Sequence, residues 1–277
     1  MNRWITAGLG TAAAAALTLG AAGAAQADDD RRLQAVGLTA DQQLVTFTVD
    51  KPGRVRPAGP VTGLQGDTRL VGIDYRVQDG KLYGVGDAGG VYTLTVRGAK
   101  AAKAGQLAVA LNGTSFGVDF NPAADRLRII SDTGQNLRHD VNPGGTTVAD
   151  GTLTIPPATT PATGVTAAAY TNNDLNADTG TTLFDLDTTL DQVAIQAPAN
   201  AGPLSPTGKL GADAGAEAGF DIYTETKSGD VTGFATLQVG GRSTLFQISL
   251  LNGRADQLGR FPSPVTVTDL ALPLAQR

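Results

Sequence analysis

The sequence predicts an all-β fold: a five-bladed β-propeller with four antiparallel strands per blade. Three observations predict it. First, a short pattern returns at Gly72-Ile73-Asp74-Tyr75, Gly117-Val118-Asp119-Phe120, Ala167-Ala168-Ala169-Tyr170, Gly219-Phe220-Asp221-Ile222 and Val267-Thr268-Asp269-Leu270. From the third residue of each, the steps are 45, 50, 52 and 48 residues, the spacing of four-stranded blades. Second, Gly, Asn, Asp and Pro punctuate the short apolar runs at the places where hairpins must turn. Third, the two ends complement each other. Three strands precede the first full repeat and one strand follows the last, so one blade is completed by both termini.

The elements follow in order. Residues 1–27 read as a secretory signal peptide, outside the fold. Asn2 and Arg3 begin it, an Ala-rich apolar stretch runs through Leu17 and Leu19, and Ala25-Gln26-Ala27 offers cleavage after Ala27. The stretch is short and broken by glycine, which argues against a membrane anchor. The mature chain, 28–277, is then expected to be one propeller domain, exported from the cytoplasm, with no membrane span. Its first three strands are expected at Ala35–Leu38, Leu44–Val49 and Arg54–Val61. The next blade takes Leu70–Tyr75, Lys81–Val85, Val91–Val96 and Lys103–Ala110. The following one takes Gly117–Phe120, Arg126–Ile130, Leu137–Val141 and Thr146–Ile155. Pro156 to Pro161 blocks further pairing and serves as a connection between blades. The fourth repeat starts at Val165, has a first hairpin widened by Asn172 to Gly180, and continues with Thr182–Leu186 and Gln192–Gln196. Asp221–Tyr223, Val231–Leu237, Thr244–Leu250 and Ala255–Phe261 make the fifth. Val265–Leu272 closes the ring by pairing with the N-terminal strands and removing an open edge.

Composition narrows the function. There is no Cys, so no disulfide supports the fold despite an exported setting. Without Arg3 the chain has 20 basic and 26 acidic side chains, a net charge near −6, which repels a phosphate backbone and excludes nucleic acid as a natural partner. One His and no Cys rule out a His/Cys zinc or copper centre. His139 and Asp140 are neighbours on a strand and point to opposite faces, so they do not form a triad pair. No nucleophile elbow and no phosphate-binding loop occurs. Trp4 falls in the leader, so the mature chain has no Trp to stack on a sugar.

The segment FGVDFNPAADRLRIISDTGQNLR, residues 116–138, resembles the signature stretch of the bacterial domain of unknown function DUF4394. AAAYTNN (167–173), TTLFDLD (181–187) and PLSPTGKLG (203–211) resemble the same family. The resemblance covers nearly all of the mature chain. It implies a secreted or surface β-propeller and transfers no catalytic residue. The Asp-rich insertion at 174–178 departs from the family's pattern.

Three groups of residues could carry chemistry. Asp74, Asp119, Asp221 and Asp269 lie on the innermost strands, with Ala169 at the fifth position. Facing one axis, they would hold a hard cation, Ca²⁺ above all, or staple neighbouring blades through backbone N–H groups. Asp174, Asn176 and Asp178 alternate like a calcium loop, with Asp185 as a would-be final ligand. The glycine stands one place late, and the bland reading is a polar hairpin. Arg126, Arg128 and Arg138, with Asn136, offer planar donor forks for a carboxylate or sugar hydroxyls, or an Asp–Arg network between blades. The expected function is a monomeric, exported binding or interaction module for a small molecule or an extracellular protein. The ligand is expected at the axial channel or the blade-top loops. A calcium-dependent hydrolase of the lactonase or phosphoesterase kind and a structural envelope protein are the alternatives.

Overall fold

The computed structural model describes Met1 and residues 32–176 and 178–274. The expected signal peptide and its expected cleavage after Ala27 lie outside the described residues. Every strand falls within one compact unit, 32–277. No helix among the described residues is long and apolar enough to cross a membrane.

The strands are β1 (Gln34–Thr39), β2 (Gln43–Thr48), β3 (Arg56–Pro60), β4 (Leu70–Tyr75), β5 (Leu82–Gly86), β6 (Gly90–Thr95), β7 (Lys100–Gln106), β8 (Phe116–Asn121), β9 (Arg126–Ser131) and β10 (Asn136–His139). They continue as β11 (Thr147–Ala149), β12 (Val165–Tyr170), β13 (Leu183–Asp187), β14 (Gln192–Gln196), β15 (Leu204–Lys209), β16 (Ala218–Thr224), β17 (Val231–Val239), β18 (Arg242–Ile248), β19 (Ala255–Arg260) and β20 (Val267–Ala271). They form five antiparallel four-stranded sheets, β20-β1-β2-β3, β4-β5-β6-β7, β8-β9-β10-β11, β12-β13-β14-β15 and β16-β17-β18-β19. These are blades 1 to 5, arranged as a propeller. The C-terminal strand β20 pairs with β1, with Leu270 opposite Gly37, and so completes blade 1.

In each blade one hairpin turn ends on a residue with positive φ: Gln42, Gly80, Asp125, Asp191 or Gly229. Gly and Asp suit that conformation, which is why turn residues mark the blades so clearly. Two expectations need correction. The strand expected at 146–155 is cut to β11, because Gly151 packs against the backbone of Ala201. A side chain there would meet the Ala201 carbonyl at 2.3 Å. The strand expected at 103–110 begins at Lys100 and ends at Gln106.

The apolar core is divided into five clusters, each filled from two adjacent blades. Four have ample apolar side chains from both sides. Between blades 3 and 4, blade 3 contributes fewer, among them Ile130 and Leu153 against Val165, Ala168, Tyr170 and Leu183. The rest of that face of blade 3 is polar, and it positions the site described next.

Candidate functional site

Two constellations stand out, one on the axis and one between blades 3 and 4. On the axis, each carboxylate reaches into the next blade. The backbone N–H of Phe120 donates to Asp74 Oδ2 at 2.7 Å, and that of Tyr170 donates to Asp119 Oδ1 at 2.9 Å. Leu272 donates to Asp221 Oδ2 at 2.6 Å, and Ile73 to Asp269 Oδ2 at 2.8 Å. The chain of bonds is broken once, at Ala169, which has no acceptor to offer blade 5. There the N–H of Ile222 turns to its own neighbour, Asp221 Oδ1, at 2.6 Å.

Oxygens of Asp74, Asp119 and Asp221 also lie within 4.8 Å of one another, and all three residues are buried. Asp269 joins the bonding ring but not this triad. Burial pushes all four carboxyls up. Asp221 reaches about 7, and for Asp74 and Asp119 the charge of a neighbouring carboxylate adds to the effect of burial. The enclosed space is small, about 20 Å³, and Tyr75, Tyr170 and Asn173 help to line it. The Nδ2 of Asn173 is buried there without a partner.

The second constellation is built by strand pairing. Asp119, Arg128 and Arg138 face each other across β8, β9 and β10, and Asn121 faces Arg126 in the next row. Direct cross-strand partners share a face, so these side chains project together toward blade 4. Arg128 is buried and its hydrogen bonds go to the protein. Its Nε donates to the Tyr170 hydroxyl at 3.2 Å, Nη1 to Asn136 Oδ1 and Asp150 Oδ2 at 2.7 Å, and Nη2 to Asn200 Oδ1 at 2.7 Å. The Asp150 side chain is 4% exposed and also accepts from Arg138 Nε, at 2.9 Å to both oxygens. Arg126 pairs with Asp140 at 3.1 Å. Asn136 completes the layer by donating to the carbonyls of Gly151 and Ala199.

A cleft of about 210 Å³ opens above this layer. Three arginines line it, with Tyr170, Asn121 and Asn200, and no acidic side chain does. Nη1 and Nη2 of Arg138 have no partner among the described residues. Tyr170 belongs to both constellations, through its backbone to Asp119 and through its hydroxyl to Arg128. The structure therefore brings Arg126, Arg128 and Arg138 to one cavity and places Asn136 in its floor. Asp150, Tyr170 and Asn200 were not singled out from the sequence. Tyr170 was visible in the repeat, and Asp150 stood in a segment read as strand.

The Asp-rich insertion behaves differently. Asn172 Oδ1, Asp174 Oδ1 and Asn176 Oδ1 each accept the N–H two residues on, at 2.8, 2.7 and 3.1 Å. This is a run of Asx turns with exposed side chains at Asp174, Asn176 and Asp178. Asp185 is fully buried in β13, on the face toward blade 3, and neither carboxylate oxygen has a partner. Burial pushes its carboxyl well up, against the pull of Arg128. His139 is buried and bonded to Thr147 Oγ1 at 3.0 Å, a packing role. A clamp also joins blades 2 and 3, where Arg76 donates to both oxygens of Asp125 at 2.8 and 2.6 Å.

The model of the domain of unknown function DUF4394 matches residues 43–271. The chain belongs to this family. No curated protein matches it. Among solved structures it is similar to a protein of unknown function from Bacteroides thetaiotaomicron, at 12% identity and a TM-score of 0.47, over 88% of this chain and 68% of that one. It is similar to an auxiliary nutrient binding protein from Bacteroides ovatus, at 12% identity and a TM-score of 0.42, over 74% and 56%. The allergen Mala s 1 of Malassezia sympodialis matches at 11% identity and a TM-score of 0.42, over 74% and 72%.

Proposed function

We propose that this DUF4394 chain is an exported binding module that takes a small polar ligand in the cleft between blades 3 and 4. One observation carries the reading: where other blade interfaces are filled by apolar packing, this one holds a cavity lined by three arginines. A protein that needed only stability would gain more by filling that space with apolar side chains. Arg128 and Arg138 are fixed by the nearly buried Asp150, so the site is formed before any ligand arrives, which lowers the entropy cost of binding.

The test is a melting series against small sugars, amino acids and carboxylic acids. A ligand at one hundred times its Kd stabilises the fold by about 2.7 kcal/mol. The expected result is a raised Tm with at least one class, abolished by Ala199→Trp, which fills the cleft. A response equal in the variant would place the ligand elsewhere and refute the reading.

A second reading is favoured by the proximity of Asp74, Asp119 and Asp221 on the axis. Three like charges this close call for a cation or for protons, and oxygen donors suit Ca²⁺. That centre has no His or Cys beside it, so a hydrolase built on it would depend on a cation-bound water. A Tm raised by CaCl₂ over EDTA in the wild type, and not in Asp119→Asn, supports the cation. Equal melts in both solutions argue for protonated staples instead.

A further inference from the structure

We propose that the ligand of the cleft is a hydroxylated carboxylate, an acid of the sugar-acid class, with its carboxylate seated across Nη1 and Nη2 of Arg138. The proposal rests on the reading of the cleft as the ligand site and names what that site selects.

The division of labour among the guanidiniums points to this class. Arg128 is spent on Asn136, Asp150, Asn200 and Tyr170. Arg126 is committed to Asp140 and to the carbonyls of Ala124 and Asp125. Among the described residues Arg138 is anchored only through Nε, by a buried carboxylate that cannot turn away. Its two terminal nitrogens are left as an oriented pair of donors. That edge matches the two oxygens of a carboxylate, with two parallel bonds.

The neighbours extend the argument from charge to hydroxyls. Asn200 gives its Oδ1 to Arg128, so its amide N–H₂ is the end left for a ligand. The Tyr170 hydroxyl accepts from Arg128 Nε, which leaves its own proton to donate. The cleft is thus rich in donors and poor in acceptors, and an oxygen-rich molecule complements it. Its lining has no carboxylate to repel an anion, although the chain as a whole is acidic. Ala124, Pro198 and Ala199 give a short apolar wall for a ring face. The volume of about 210 Å³ lies below the roughly 300–1,000 Å³ of drug-sized sites, so the acid is a monomer, not a chain.

Isothermal titration with glucuronate, glucose and sodium sulfate tests this on the full mature chain. The expected result is saturable binding of glucuronate only, weakened at least about tenfold in Arg138→Gln, the loss of one charge-assisted pair. Arg138→Lys keeps the charge and loses the fork, and it is expected to be weakened as well. If either variant fails to fold, glucuronate must still shift the Arg138 Nε–H resonance of the wild type. Glucose binding as tightly as glucuronate, blocked by Ala199→Trp, would overturn the acid and leave the cleft as the ligand site. Sulfate binding as tightly would show a bare anion site and overturn the hydroxylated class. Binding of glucuronate undiminished in Ala199→Trp and Arg138→Gln would overturn both readings.

Discussion

Asp150 is the residue on which the cleft turns. It is one nearly buried carboxylate between two guanidiniums, Arg128 at 2.7 Å and Arg138 at 2.9 Å. Removing it leaves the Arg128 charge buried without its counter-ion. Breaking such a pair costs about 3–5 kcal/mol, far more than an exposed ion pair is worth. Asp150→Ala is expected to lower the urea midpoint accordingly. A loss under about 1 kcal/mol would mean that Arg128 is held by its amide and hydroxyl partners alone. Strand alternation was enough to place Arg126 and Arg128 on one face from the sequence. Asp150 was not legible, because it lies 22 residues from Arg128 along the chain and sits where a strand was expected to continue. Asn200 and Tyr170 come from the next blade, and no local spacing announces a contact across blades.

At the scale of elements, the innermost strands were the most legible and the outermost the least. The Gly-x-Asp pattern has a physical reason. A side chain at Gly117 would lie 2.5 Å from the Ala168 nitrogen and 2.7 Å from the Ala167 carbonyl carbon, both backbone atoms of the next blade. The Asp two residues on staples that same strand through Tyr170. The pattern thus encodes close approach and its fastening together. Gly117→Ala is expected to destabilise the fold by about 1–3 kcal/mol through overpacking. Gly180→Ala, where nothing lies within 4 Å, is the matched control and is expected to be near neutral. Equal effects in chemical denaturation would contradict the close packing of β8 on β12. The outer strands β7, β11 and β15 are exposed along much of their length, so they lack the alternation that marks a half-buried strand. For that reason the sequence pattern starts β7 three residues late, overextends β11 and does not mark β15.

At the scale of the whole molecule, β20 closes the ring and the axial carboxyls bind the blades in sequence. This makes stability depend on pH. Asp74, Asp119, Asp221 and Asp269 are all pushed above the ordinary carboxyl value of 3.8, first of all by burial, and Asp221 to about 7. An acid raised in the fold holds its proton more tightly there than in the unfolded chain. Its contribution is complete below the unfolded value and is lost as pH rises through the folded one. The more exposed Asp41, Asp87, Asp125 and Asp140 are lowered, so their contribution is lost on the acid side. Maximum stability in EDTA is therefore expected in mildly acidic solution. The urea midpoint should fall from about pH 5 to pH 8 and flatten in Asp221→Asn. A midpoint that rises over that window would show the axial carboxylates to be ionised and stabilised in the fold.

The preassembly of the cleft is tested most directly by the arginine Nε–H resonances of the ligand-free protein near neutral pH. Arg128 and Arg138 each hold that proton in a hydrogen bond, to Tyr170 and to Asp150, whereas Arg254 is largely exposed and pairs with Asp256 through Nη2. The expected spectrum shows sharp, slowly exchanging signals for Arg128 and Arg138 and rapid exchange for Arg254. Equally fast exchange at all three would mean that the guanidiniums are not fixed in advance, and the cleft would lose its claim to be a built site.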